Sequence, residues 1–360
     1  MSSLMLPVLA LVFAAITSAS VTIAPIARVD VGLFSAYNAE YNTQILQLTG
    51  YKVNYTIGGR VYTTGRIGNK RVVITMSGIG MTNAAMTAQA MALLFQPKYM
   101  ILSGIAGGID PDLRIGDVVI PRTWFNPQLQ KFIRPLHDEN DNLTNYFADS
   151  GLDFPDKFYT EPGKTPGDFA MTLPSPATCQ LPAPSAALLA NVTANPALTV
   201  SSGFAVPIEV ELLVNKSDTF KTPTPPTAFH LPVSSTILAT AARVLRNITL
   251  ENNAGYASLP YIPTARITQR GMSSNTFLDN PDYRQNIFNL LRPSCVEMEG
   301  HAVIQVCISN KVQCAVVRSI SDLAGGAPGQ PGENEIGAFF GVAAVNTAKV
   351  AIAIIRALPL

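Results

Sequence analysis

Charge is scarce in this chain: 14% of its 360 residues are Asp, Glu, Lys or Arg, and the formal net charge is +1. With no run of Lys or Arg there is no electrostatic footprint for nucleic acid or for an anionic membrane surface. A small molecule is the expected partner instead. Histidine is scarcer, at three residues, and the four cysteines (Cys179, Cys295, Cys307 and Cys314) form no Cys/His cluster with metal-ligand spacing. Neither a metal nor a cofactor is expected. Four cysteines would allow three disulfide pairings in an oxidising compartment, although Cys307 and Cys314 sit in apolar runs and read equally as core thiols.

A long hydrophobic run is missing from the N-terminus too. MSSLMLPVLALVFAAITSAS holds about a dozen apolar residues followed by small ones, the pattern of a secretory leader over residues 1–20, and falls short of the roughly 20 residues of a spanning helix. Five Asn-X-Ser/Thr sequons, at Asn54, Asn142, Asn191, Asn215 and Asn247, fit that route. A secreted, glycosylated protein without stable membrane insertion is expected.

What the chain does have is apolar bulk. A hydrophobic content of 48% suffices for a large core, read here as one domain over 21–360. Apolar, β-branched segments at 29–34, 72–76, 99–102 and 117–120 alternate with helical patterns at 40–48 and 82–94. The alternation resumes at 265–268 (strand), 281–291 (helix, with Asn280 as cap and Pro281 in its first turn), 295–298 (strand), 302–309 (helix), 314–319 (strand) and 336–358 (helix). Such alternation predicts an α/β fold with a mainly parallel sheet. Asn346, Lys349 and Arg356 interrupt the apolar closing helix, which reads as a packing helix. Between about 124 and 260, where most prolines and sequons lie, the pattern decays into an elaborated, proline-rich middle section.

Ligands of α/β sheets collect where strands end, so strand-end residues are the candidates. The turns SGIG (77–80) and SGIAGG (103–108) would let backbone amides approach an anion or a sugar, or would serve only as tight turns. Carboxylates at strand ends are rarer. Ser321-Asp322 follows CAVVRSI, and Glu299 follows CVEM in the stretch VEMEGHA, where Gly300 would let the chain turn. Shielded by apolar neighbours, such a carboxyl group holds its proton to higher pH and can donate it near neutrality. The plainer readings are an Asx turn or helix cap for Asp322, and a solvated edge or an arginine partner for Glu297.

VEMEGHAVIQVC followed by VVRSISDLAGG, with SGIG and SGIAGGIDPDLRIGDVVIP upstream, closely resembles the nucleoside phosphorylase/nucleosidase superfamily. Within it, the chain is most similar to the methylthioadenosine/S-adenosylhomocysteine nucleosidases and the secreted plant bark storage proteins. The resemblance covers roughly 28–123 and 263–358. It implies a three-layer α/β/α domain with a mixed, largely parallel sheet, and cleavage of the N-glycosidic bond of a purine nucleoside such as adenosine, inosine, a cytokinin riboside or a methylthio compound. Asp322 then matches the acid that protonates purine N7, with Ser321 beside it. Glu299 matches the glutamate on the ribose hydroxyls, Met298 the apolar floor under the sugar, and Glu40 the carboxylate that activates water. Ser77, Gly78 and the Gly107 turn fall beside the water or ribose, and Phe277 and Leu278 flank the base. Hydroxyl hydrogen bonds of this kind can strengthen as positive charge develops on the sugar.

The loops FSAYNAE, SGIGMT and LSGIAGG carry no arginine for a phosphate, and a carboxylate at position 40 would repel one, so hydrolysis is favoured over phosphorolysis. A storage or binding protein that has lost turnover, or a phosphorylase with phosphate ligands elsewhere, are the alternatives. The resemblance also implies a homodimer. Two departures stand out: Tyr37-Asn38-Ala39 replaces a usually acidic stretch, and His301 replaces a small residue. His230 or Phe229 would line the pocket shaped by the middle section, or His230 would be a surface residue of a loop.

Overall fold

The computed structural model describes residues 23–132, 136–137, 143–145, 205–207, 210–211, 227–254, 257–326 and 332–360. The expected leader, Cys179 and the sequons at Asn142, Asn191 and Asn215 lie outside them. Strand β1 (Val31–Ser35) is buried along its whole length, as expected of a strand enclosed on both faces. Helix α1 (Asn38–Ile45) follows it, then an antiparallel hairpin, β2 (Thr49–Ile57) and β3 (Arg60–Ile67), leading into β4 (Lys70–Met76). The hairpin was not evident in the apolar pattern because β2 is an exposed, polar strand. Its local signal is the Gly58-Gly59 turn, where both residues take positive φ (55° and 76°).

After α2 (Met81–Leu94) come β5 (Tyr99–Gly108) and β6 (Val118–Phe125), and a two-residue β7 (Leu231–Pro232) joins β6 from the far side of the middle section. Helix α3 (Ser235–Val244), β8 (Ala265–Ser273), α4 (Pro281–Leu291), β9 (Cys295–Glu297), α5 (Gly300–Asn310), β10 (Gln313–Asp322) and α6 (Gly332–Ala357) follow as the remaining main elements. The start of α4 is as the sequence predicts: Asn280 Oδ1 accepts from the Tyr283 amide at 2.9 Å, with Pro281 in the first turn.

These ten strands form one mixed sheet, in which β1 lies parallel to β4 and β5, and β10 runs parallel to β5, while further short strands among the described residues pair into four two-stranded ribbons. β10 also pairs antiparallel with β6, while β6–β8 and β8–β9 are parallel and β9–β5 antiparallel. Strands β5, β10, β6, β8 and β9 therefore close into a ring. Helices α2 and α5 pack together on one side of the sheet, and α6 packs with α1 and α3 on the other, giving the expected three layers.

Two expectations change. SGIAGG, expected as a turn, is the second half of strand β5. Its glycines serve close approach rather than turning: a Cβ at Gly104 would lie 2.3 Å from Arg318 Nη1, and one at Gly107 3.0 Å from Asp322 Oδ1. Gly300 likewise needs no special dihedral. A Cβ there would meet the Trp124 ring at 3.0 Å and Glu297 Oε1 at 3.1 Å, so crowding at the start of α5 explains the residue. The apolar closing helix packs as expected. Its segment Asn334–Ala357 is long and apolar enough to cross a membrane, yet 61% of its most apolar window is buried within the protein. Its polar residues are engaged, Asn346 with the Glu251 backbone and Gly116 carbonyl and Lys349 with the Glu251 carboxylate at 2.5 Å.

Candidate active site

Strand register assembles the site. On β5, Gly107 lies opposite Asp322 of β10 and Val296 of β9. That pairing brings the end of β10 and the VEMEG segment to either side of one glycine. Between them opens a cavity of about 290 Å³, lined among others by Glu40, Gly107, Phe277, Met298, Glu299, Ser321 and Asp322. Seven residues nominated from the sequence thus meet in one place although 282 positions separate the first from the last.

Each carboxylate is held differently. Glu40, in the first turn of α1, accepts from the Ile105 amide at 2.8 Å and from the Ala36 and Tyr37 amides at 3.1 and 3.0 Å. Burial raises its pKa, opposed by Arg318 and these amides. Glu299 sits just before α5, where Oε1 accepts from the Gly80 amide at 2.8 Å and Oε2 from Arg318 Nη2 at 3.0 Å. Burial pushes its pKa up as well, with Arg318 opposing and Glu297 reinforcing. Asp322 accepts from Ser321 Oγ at 2.8 Å and from the Ala324 amide at 2.9 Å. Its burial outweighs those bonds and lifts its pKa to about 6, the range in which a carboxylic acid can deliver a proton near neutrality.

The residue that sequence reasoning missed is Arg318. It lies outside the glycine-rich loops, in the middle of β10, and lines the same cavity. Its Nη2 bonds Glu297 as well as Glu299, and Nη1 reaches the Ile105 carbonyl at 3.3 Å. Burial alone would lower its pKa, but Glu297, Glu299 and Glu40 hold the guanidinium above its ordinary value. The available signal was a lone charge inside the apolar run CAVVRSI, since a buried charge requires a partner.

Glu297 proves to be that partner, the second of the two plain readings. It also accepts from the Gly300 amide at 2.8 and 2.9 Å, from the Glu299 amide at 3.2 Å and from Ser273 Oγ, which itself receives the His301 amide at 2.8 Å. A carboxylate over the first amides of α5 suits the helix dipole.

Other nominated residues stand apart. Ser77 Oγ bonds the Ser35 carbonyl at 3.2 Å and the Gly78 carbonyl at 2.9 Å, and Gly78 supplies a positive φ of 84° to the turn. Neither is among the residues that line the cavity; the turn contributes the Gly80 amide and the Ile79 side chain. Leu278 packs instead against the satellite apolar cluster that contains Phe125, Phe229 and Met272. Phe229 and His230 do not line the cavity either: their rings stack edge-on with each other and lie against Phe125. His301 is buried, lies outside the lining and is pushed by burial to a pKa of about 4, so it is neutral at pH 7. Tyr37 meets Phe340 of α6 edge-on at 5.4 Å, and the exposed lining residues Tyr37, Ile79 and Phe277 make the outer rim of the cavity apolar. Among the described residues no group of His, Cys, Asp and Glu could hold a metal ion, and Cys295, Cys307 and Cys314 are buried free thiols.

Comparison with known proteins extends this picture. The family model described as the Phosphorylase superfamily matches residues 30–187 and 219–356. The 5'-methylthioadenosine/S-adenosylhomocysteine nucleosidase of Marinomonas sp. (strain MWYL1) is 40% identical over 90 residues, 25% of this chain and 38% of that protein. Its counterpart from Lysinibacillus sphaericus (strain C3-41) is 48% identical over 65 residues, 18% of this chain and 28% of that protein. The matched segment thus spans well under half of these relatives. Over 92% of this chain and 97% of the other, the fold is similar to futalosine hydrolase of Helicobacter pylori strain 26695, with a TM-score of 0.56 and 18% identity. Over 93% and 98%, it is similar to the methylthioadenosine/S-adenosylhomocysteine nucleosidase of Colwellia psychrerythraea 34H in complex with adenine, with a TM-score of 0.57 and 18% identity. At such identity these structures speak for the fold.

Proposed function

The chain belongs to the Phosphorylase superfamily, and from that premise we propose that it is a purine nucleoside N-ribohydrolase. The observation that carries this reading is the convergence of Glu40, Glu299 and Asp322 on one small cavity, each at most 3% exposed. Asp322, with its pKa lifted to about 6, protonates the departing base. Glu299, braced by Gly80 and Arg318, takes the ribose hydroxyls over Met298. Glu40 removes a proton from the water that attacks C1' as the N-glycosidic bond breaks. The base leaves with the proton of Asp322, the sugar gains the hydroxyl, and the products are free purine and free ribose or its 5'-substituted form.

Arginine in the cavity raises the phosphorylase reading anew, and its bonding argues against it. Arg318 is already engaged by Glu297 and Glu299, and three carboxylates face one guanidinium, an arrangement hostile to a phosphate dianion. The apolar lining contributed by Tyr37, Ile79, Ile336 and Phe340 suits a nucleoside with an apolar 5' substituent, and the relatives above are named for 5'-methylthioadenosine. Methylthioadenosine is therefore the first substrate to test, before adenosine, inosine and a cytokinin riboside. The proposal includes secretion, with glycans on Asn54 and Asn247, both exposed, and a homodimer.

The decisive experiment incubates the purified protein with each nucleoside, with and without phosphate, and identifies the sugar. Free sugar formed without phosphate is the expected result. A sugar 1-phosphate that forms only with phosphate would overturn hydrolysis, and binding without turnover would make this a nucleoside-binding protein. Glycosidase-sensitive mass and light scattering of the secreted product test the remaining parts.

A further inference from the structure

The turn that follows Asp322 is held by a second set of acids, which do not line the cavity. Glu335, in the first turn of α6 and 9% exposed, accepts from the amide of Leu323, the residue after Asp322, at 2.8 Å. Asp279, just before α4, accepts from the Gly332 amide at 2.9 Å and so ties the start of α6 to the loop that carries the lining residue Phe277. Gly325 closes the same knot: it takes a positive φ of 133°, and a Cβ there would lie 2.5 Å from Pro281 N. The Leu323 amide could have been satisfied by any acceptor; a carboxylate there also places negative charge beside the residue that follows the general acid.

We propose that Glu335 is a positioning residue for Asp322: its carboxylate pins the turn that presents the acid, and its charge keeps the proton on that acid until the base takes it. Asp279 supports it from the other side. Like charges near a carboxyl group disfavour its ionised form, and both Glu335 and Asp279 act on Asp322 in that direction. Among the described residues, other groups also act on the turn. Ser321 and the Ala324 amide bond the Asp322 carboxyl and favour its ionised form. Arg284 of α4 donates to the Leu323 carbonyl, Tyr283 of α4 is raised by burial and neutral, and Arg318 is engaged by Glu297 and Glu299. Glu40 and Glu299 line the cavity from α1 and the α5 start. The role rests on the proposed function, because a proton donor needs tuning only if a leaving group awaits the proton.

Glu335→Gln separates charge from structure, since the amide oxygen can still accept from Leu323. The alkaline limb of kcat/KM should move to lower pH by about half a unit or more, which leaves roughly a third of the wild-type rate at pH 7.5. Glu335→Ala, which also frees the Leu323 amide, should in addition lower the plateau. Asp279→Asn keeps its acceptor and should move the limb in the same direction, which provides a second test if Glu335 variants fold poorly. The Asp322 carboxyl can also be titrated directly by NMR in wild type and variants. Coincident limbs and coincident titrations would overturn the proposal. Absence of turnover in the wild type would remove the nucleosidase reading while the titration still decides whether Glu335 controls the Asp322 proton.

Discussion

On the proposed function, Asp322→Asn should slow turnover and stabilise the fold at the same time. In the folded chain burial lifts the Asp322 pKa from its usual 3.8 to about 6. A difference of about two units corresponds to about 3 kcal/mol by which the fold disfavours the ionised carboxyl. The sign follows from the raised value: the folded state retains a proton that the unfolded chain gives up, so stability is lost as pH rises from about 4 through about 6 and then levels off. Asn carries no charge and keeps the shape, with its oxygen able to accept from the Ala324 amide. At pH 3.5 to 4 the two proteins should therefore unfold at similar urea concentrations, and at pH 7.5 the variant should be more stable by up to about 3 kcal/mol. Its kcat/KM should fall by about 100-fold or more, the usual contribution of a general acid. Equal stability at both pH values would refute the claim that burial holds this proton, and retained turnover would remove Asp322 from the chemistry.

Other perturbations reach the same site by different routes. Gly104→Ala would put a Cβ 2.3 Å from Arg318 Nη1 and 2.6 Å from Glu40 Oε1, so one of them must shift by about an ångström, and steady-state kinetics should show a loss of about 100-fold. Arg318→Met leaves Glu297 and Glu299 buried without their counter-charge, and denaturant unfolding at neutral pH should register a loss of about 3–5 kcal/mol. An unchanged midpoint in that variant would mean that Arg318 does not stabilise the two buried glutamates. Asn280→Ala removes the cap on the Tyr283 amide and should cost about 1 kcal/mol, measured the same way, with little effect on the Glu40 side of the cavity.

Local features of the chain were legible where local physics decides them. Asn280-Pro281 starts α4 because a side-chain acceptor and a preset φ need only adjacent residues. The alternation of apolar strands and helices, the apolar but interrupted closing helix, and the strand-end carboxylates Glu299 and Asp322 were readable for the same reason. The α3 segment and the β2–β3 hairpin were not, because proline-rich surroundings and a polar exposed strand hide the periodicity on which such reading depends.

What no neighbouring residue could disclose is who meets whom across the sheet. VEMEGHA announces two glutamates, but only the register of β10 against β5 carries Arg318 to within reach of both, 21 and 19 residues further on. SGIAGG looks like a turn because glycine turns easily. The tertiary structure makes it a strand, with its glycines kept bare so that Arg318, Glu40 and Asp322 can approach. The sequence by itself determined which chemical groups the protein owns and which short segments hold their shape. The closed ring of strands decided which of those groups share a cavity, since charges pair and carboxyl protons are retained only where long-range packing removes water.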